Sequence, residues 1–228
     1  MSCGTSTLGM RPIMNGMPDN LHPMDATYRA VCREREAITA PVGVVDAKLF
    51  LPGDRWRNTP IHEAGHAVMA RHFNAPVYRV ELFDQNSPEW SVAEGVVHLG
   101  EPKPDWHKSH ADRVEQVTKQ QISFTNEITV ALVLIYQAGL LAELLAAGTK
   151  PPQEHVVFQM GSPDHRLAAH WAGAQENTRM LMACQRVAVG ILERRWQTVE
   201  WLAKLLEDRK IVSGAAVLNV AQPPVGVH

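Results

Sequence analysis

One long apolar segment, residues 128–148, limits how this chain can fold. It carries a single charged residue, Glu143, and it is long and apolar enough either to cross a bilayer or to fill the centre of a helical protein. Gln137 and several small residues suit close packing between helices, and Glu127 stands where a membrane segment usually has a basic anchor. We therefore interpret the segment as a buried central helix, and we expect no membrane span.

Residues 62–66 read His-Glu-Ala-Gly-His and follow a Thr-Pro pair, which is typical of the cap and first turn of a helix. Positions i and i+4 of a helix lie on one face, so His62 and His66 can bind the same metal ion. Glu63 is turned away by about 100° and can hold a water molecule near that ion without binding it. The pattern is typical of zinc peptidases, although two histidines on an amphipathic helix can also be purely structural.

A catalytic zinc site needs a third protein ligand, and the residues themselves leave its identity open. Asp164 lies in the first turn of a helix that we predict after a Ser-Pro pair. Glu143 is its rival, because a lone carboxylate on an apolar helix is costly to bury without a partner. Glu154, His155 and His165 are weaker candidates close to Asp164 in the sequence. On these grounds Asp164 ranks only just ahead of Glu143.

The remaining patterns predict a mainly α-helical protein with a small β-hairpin beside the His-Glu helix. Strands are predicted at 77–83 and 95–99, and a further strand or extended arm at 42–51. Helices are predicted at residues 25–38, 60–73, 108–121, 126–147, 162–171 and 176–209. Residues 1–57 are expected to form a partly flexible N-terminal extension, residues 58–216 a metallopeptidase-like domain, and residues 217–228 a flexible tail.

The composition of the chain indicates which binding partners and which cellular compartment to expect. The chain has 22 basic and 24 acidic residues in a mixed order, so we expect no nucleic-acid partner. The three cysteines, Cys3, Cys32 and Cys184, are widely spaced, which argues against both a disulfide framework and a cysteine-ligated structural zinc site. Residues 1–20 lack the charged start and apolar middle of a signal peptide, and we expect a cytoplasmic protein.

Five landmarks between residues 58 and 216 follow the order seen in one protein family. They are His-Glu-Ala-Gly-His-Ala at 62–67, the predicted hairpin at 77–99, Ala-Gly-Leu-Leu-Ala-Glu at 138–143, Gly-Ser-Pro-Asp at 161–164, and the segment 205–214. In these features the chain resembles the peptidase domain of the FtsH-type, membrane-anchored AAA proteases. Their signatures are His-Glu-Ala-Gly-His-Ala, Gly-Gly-Arg-x-Ala-Glu-Glu and Gly-Ala-Ser-x-Asp. The resemblance implies that Asp164 is the third zinc ligand and that Glu143 is a nearby supporting carboxylate.

The chain also departs from that family. Leu140 and Leu144 stand where the family usually has an arginine and a second glutamate, and the loop inside the predicted hairpin is longer. The sequence contains no Gly-x-x-x-x-Gly-Lys-Ser/Thr motif, so we expect no ATPase activity from these residues. Self-association into rings, or a separate ATPase partner, would be consistent with the resemblance.

Three hypotheses of function follow. The first is a zinc-dependent metalloendopeptidase that hydrolyses peptides or unfolded protein segments, with Glu63 as the catalytic base and no ATP requirement in this chain. The second is a catalytically silent, zinc-binding regulatory or interaction module of the same fold, which Leu140 and Leu144 motivate. The third is zinc-dependent hydrolysis of a non-peptide amide. Retention of Glu63 favours the first over the second, because a purely structural zinc site has no use for a base.

Overall fold

A computed structural model describes residues 23–51, 58–91, 93–100, 125–159, 161–173 and 178–220. Its seven α-helices are α1 (Pro23–Ala37), α2 (Thr59–His72), α3 (Asn126–Ala146), α4 (Pro163–Trp171), α5 (Thr178–Arg194), α6 (Trp196–Arg209) and α7 (Gly214–Val220). Its five β-strands are β1 (Gly43–Asp46), β2 (Arg79–Leu82), β3 (Gly95–His98), β4 (His155–Phe158) and β5 (Ile211–Ser213). The predicted class, mainly helical with a small sheet, is confirmed. The helix predicted at 108–121, residues 1–22 and 52–57 of the predicted extension, and residues 221–228 of the predicted tail lie outside the described residues.

Helix α3 occupies the centre of the fold, as its apolar sequence predicts. It packs against α1, α2, α4 and α5, and most of its side chains are buried. Its length and hydropathy also suit a membrane span, but 72% of its most apolar window is covered by the rest of the protein. Thr125 caps its first turn by accepting a hydrogen bond from the Ile128 N–H, and Gly148, with a φ of 72°, follows its end.

Gly65 lets α2 and α3 approach each other closely. A Cβ atom at this position would lie 2.6 Å from the backbone carbonyl oxygen of Ala138 and 2.7 Å from the Cβ of Ala142. The small residues on both helices therefore bring α2, which carries His62 and His66, directly against α3. This contact sets the distance across which the functional side chains of the two helices meet.

The two small sheets contain two strands that the sequence did not predict. The predicted hairpin is confirmed as the antiparallel pair β2–β3, and β5 adds to the other edge of β2 in the order β3-β2-β5. β1 pairs in parallel with β4, which lies in a segment predicted as a loop. The Gln185 side chain completes the other side of β4 by bonding to the Val157 N–H and the His155 carbonyl. Both missed strands pair with a strand that is distant in the sequence, so no adjacent turn or hairpin pattern marks them.

Two predicted helix boundaries are wrong. The N-cap of α2 is Asn58, whose side chain accepts from the Ile61 N–H, whereas Thr59 lies inside the helix and donates its hydroxyl to Glu94. The long C-terminal helix is interrupted at Arg195, where φ and ψ are −112° and 18°. This break lets α5 pack on α1 and α3 while α6 packs on α2. No proline or glycine marks it, so the sequence carries no signal for it.

Residues 23–51 are part of the same hydrophobic core as the rest of the fold. Helix α1 packs on α5 and α3, and β1 pairs with β4. The buried side chains that this segment contributes include Val31, Ile38 and Leu51. The extension therefore supports β4, which precedes the loop leading to Asp164.

Candidate metal centre

His62, His66 and Asp164 converge on one point although they come from α2 and α4. The Nε2 atoms of the two histidines are 3.0 Å apart, and each lies 3.3 Å from Oδ2 of Asp164. Ser162 positions the carboxylate by capping α4, since its hydroxyl accepts from the His165 N–H. These three side chains could hold a metal ion.

The hydrogen-bond partners of the two Nδ1 atoms determine the tautomer and the orientation of each imidazole ring. Nδ1 of His66 lies 2.6 Å from the backbone carbonyl oxygen of Ile135, which can only accept a hydrogen bond, so Nδ1 carries the proton. Nδ1 of His62 lies 3.5 Å from Oε2 of Glu143, whose Oε1 accepts from the Asn58 N–H. In the neutral form of each ring, Nε2 is therefore a lone-pair acceptor. Metal-binding histidines characteristically have such partners on the nitrogen that faces away from the metal.

Three acceptors thus face one another at the same point: the two Nε2 atoms and Oδ2 of Asp164. Lone pairs at separations near 3 Å repel, so this arrangement is favourable only with a proton or a metal ion between them. The convergence of three acceptors fits a divalent cation with nitrogen and oxygen ligands. Asp164 keeps 33% of its side-chain exposure and His62 16%, which places the accessible side of the group toward these two residues.

The electrostatics of the group favour positive charge. Burial lowers the pKa of His62, but Asp164 and Glu143 outweigh it and raise the pKa well above its ordinary value. Burial also lowers the pKa of His66, but the nearby Asp164 outweighs this effect and raises it. Burial raises the pKa of Asp164, yet His66 and His62 bring it well below its usual range. The same field attracts a metal ion, which has to displace protons when it binds.

Glu63 is a buried carboxylate beside the three acceptors. Its side chain is 6% exposed and, among the described residues, makes no hydrogen bond. Burial raises its pKa to about 7, although His62 and His66 oppose this shift. Its Cγ packs against Gly95 at the start of β3, where an added Cβ would approach to 2.7 Å. A carboxylate kept without a partner at this cost is available to accept a proton.

The other candidate residues do not belong to the converging group. Glu154 is exposed, and the His155 ring packs against Gly43. His165 stacks on Phe158 with ring centroids 4.0 Å apart. Glu143 is brought to the site, but as the partner of the outer nitrogen of His62.

Leu140 and Leu144 are two positions at which the sequence differs from the signatures of the family that it resembles. Leu144 is fully buried in the core, and Leu140 lines a cleft beside the candidate metal centre. Val157 and Phe158 of β4 line the same cleft, as does Tyr136 of α3. Apolar side chains therefore form part of the cleft lining, together with polar ones.

Gly139 is a site residue that the sequence did not single out for a role. An added Cβ would lie 2.4 Å from Nε2 of His66 and 2.5 Å from Nε2 of His62, so the rings rest directly on the α3 backbone. Asn58, the Ile135 carbonyl and Tyr136 were also missed. Gly139 was noted only as part of the segment 138–143 that resembles a family signature. A contact through a backbone carbonyl, such as that of Ile135, does not depend on the side chain and so cannot be predicted from the residue type.

We expect Gly139→Ala to weaken divalent-metal binding by about 10- to 100-fold, comparable to losing an outer partner of a ligand. The added methyl displaces the ends of two side chains rather than backbone, so the melting temperature should change little. Gly65→Ala is the matched control, because its methyl meets the Ala138 carbonyl and should cost about 1–3 kcal/mol of folding stability. Metal titration and thermal unfolding of both variants test this contrast. Native metal affinity in Gly139→Ala would contradict it.

A comparison of the sequence with protein-family models and with curated proteins found no match.

Proposed function

We propose that this protein is a zinc-dependent metallopeptidase. The observation that carries the proposal is the convergence of two Nε2 atoms and one carboxylate oxygen beside Glu63, a carboxylate without a hydrogen-bond partner among the described residues. Two imidazoles and one carboxylate form a ligand set used by catalytic zinc, which keeps a position open for substrate or water. A structural zinc site would more often be closed by a fourth protein ligand.

Each residue of the site has a separate task. His62, His66 and Asp164 hold the metal ion, while Glu143 and the Ile135 carbonyl orient the two rings. Bound zinc supplies a Lewis acid that polarises the scissile carbonyl and makes water more acidic. Glu63 accepts the proton of the attacking water and later delivers it to the leaving amine.

Strand β3 supplies a docking edge for an extended peptide. It has β2 as its one partner among the described strands, and its first residue, Gly95, contacts Glu63. A peptide that adds alongside β3 as an extra strand therefore passes next to the base. This favours peptides and unfolded segments as substrates, since most extended segments of a folded protein are already paired within its own sheets.

A catalytically silent zinc module remains the second candidate function. Leu140 and Leu144 favour it, because they replace charged residues of the resembling family with side chains that are buried or line the cleft. Such a module would bind zinc as the peptidase does. It would differ in having no use for Glu63 as a base.

Peptide hydrolysis by the full chain tests the proposal. We expect the zinc-loaded protein to cleave internally quenched peptides and casein without ATP, and to lose this activity on treatment with a chelator. Stoichiometric zinc should restore it, because contacts within the protein already position the ligands: His66 bonds to the Ile135 carbonyl, and Ser162 caps the helix that carries Asp164. A protein that binds one zinc ion but cleaves no member of a diverse peptide library would support the silent module instead. Sedimentation with and without a candidate ATPase would test self-association and partner binding in the same preparation.

A further inference from the structure

Tyr136 lies on the face of α3 that turns toward the candidate metal centre. It precedes Gly139 by three positions and Glu143 by seven, which places all three on one side of the helix. Gly139 contacts the Nε2 atoms of both histidines, and Glu143 lies behind His62. Tyr136, one turn closer to the helix N-terminus, lines the cleft together with His62 and Asp164.

Among the described residues, nothing indicates a structural role for the Tyr136 hydroxyl. The ring packs against the hydrophobic core, while no hydrogen bond joins the hydroxyl to another described residue. Largely buried tyrosines usually place their hydroxyl on a partner. Burial, helped by the negative charge of Asp164, raises the pKa of Tyr136 to about 12, so the group is a neutral donor at physiological pH.

We propose that Tyr136 is a catalytic residue whose hydroxyl donates a hydrogen bond to the carbonyl oxygen of the scissile peptide bond as that oxygen becomes negative. This inference rests on the proposed peptidase function. When the water oxygen bonds to the carbonyl carbon, the π electrons of the carbonyl move to its oxygen and Glu63 takes the water proton. The Tyr136 hydroxyl keeps its own proton and strengthens its hydrogen bond as the charge develops.

The surroundings of Tyr136 favour this role over simple packing. Leu140, Val157 and Phe158 line the cleft with apolar side chains and supply no hydrogen-bond donor there. Low local polarity strengthens any donor aimed at a developing negative charge. Tyr136 thus adds a hydroxyl donor beside these apolar side chains, in a cleft that Gln137, Gln159, Ser162 and His165 also line.

The test compares zinc-loaded native protein with Tyr136→Phe, which keeps the ring and removes only the hydroxyl. Tyr78→Phe is the matched control, because Tyr78 is exposed and precedes β2, outside the cleft. Zinc content, kcat and KM for a quenched peptide, and the affinity of a phosphinic peptide are measured for all three. The tetrahedral phosphinate oxygens resemble the developing oxyanion, and this binding is measurable whether or not the protein turns over.

We expect Tyr136→Phe to lose about 100- to 1,000-fold in kcat and in phosphinic-peptide affinity, the range seen when one oxyanion donor is removed. Zinc content should stay native and KM should change by less than about threefold, whereas a packing defect would alter zinc content or stability. Equal phosphinic-peptide affinity in native and Tyr136→Phe protein, or none in the native protein, would overturn the inference. If only the native protein binds the phosphinate tightly and neither cleaves peptides, the Tyr136 contact stands and the proposed function fails.

Discussion

Glu63→Gln is expected to abolish peptide hydrolysis while the protein keeps its zinc. General acid–base catalysis contributes about 10²- to 10⁴-fold, and we expect a loss toward the upper end because Glu63 handles the proton in both bond formation and amine departure. Glutamine has nearly the same shape but cannot accept the proton. The substitution leaves the candidate metal ligands His62, His66 and Asp164 unchanged. Zinc content and kcat/KM measured on the same preparations separate these two effects.

Glu94→Gln is the matched control for that experiment. Glu94 directly precedes β3, close in sequence to the Gly95 that contacts Glu63, but its carboxylate accepts a hydrogen bond from the Thr59 hydroxyl. We expect its replacement to leave kcat/KM within about threefold of the native value, as for a substitution outside the reacting groups. Native activity in Glu63→Gln would remove the case for Glu63 as the base and for the peptidase mechanism.

Asp164→Asn is expected to weaken zinc binding by on the order of 1,000-fold, more than the roughly 10- to 100-fold typical of outer partners. The substitution removes the one negative charge among the three converging acceptors and leaves two imidazoles at 3.0 Å. Glu143→Gln should fall in the smaller range, because Glu143 contacts Nδ1 of His62 and not the metal position. Competition with a chromogenic chelator gives both affinities.

Asp46→Asn provides a control carboxylate on β1, whose oxygen accepts from the Lys48 N–H, and its zinc affinity should remain native. Thermal unfolding of each variant without zinc shows whether any loss of affinity reflects a damaged fold. A larger effect of Glu143→Gln than of Asp164→Asn would reverse the assignment of ligand and supporting carboxylate.

The long, strongly patterned elements of this fold could be predicted because their burial determines their composition. α3 is apolar almost throughout since other helices surround it, and the Thr-Pro and Ser-Pro pairs mark the starts of α2 and α4. β4 and β5 could not be predicted, because their partners β1 and β2 are distant in the sequence and no hairpin turn marks the pairing. The break at Arg195 was missed because the partners of α5 and α6, rather than local propensity, produce it.

The same distinction between local sequence pattern and tertiary packing applies to the candidate metal centre. His62, Glu63 and His66 are neighbours on one helix, so their spacing alone predicts that they share a face. Asp164 and Glu143 stand on two other helices, and only the packing of α2 and α4 on α3 shows which carboxylate reaches Nε2 and which reaches Nδ1. Tyr136 carries no motif at all, and its place beside the site follows from the position of Gly139 one turn later on α3.

The zinc K-edge X-ray absorption spectrum of the purified protein with one equivalent of zinc is the most direct measurement. We expect two imidazole nitrogens and oxygen ligands at about 2.0–2.2 Å, with no sulfur near 2.3 Å. One zinc ion should be held by His62, His66 and Asp164, with the remaining coordination made by solvent oxygen. Failure to bind zinc, a sulfur ligand, or a shell without two imidazoles would contradict the convergence of these three side chains on one metal ion.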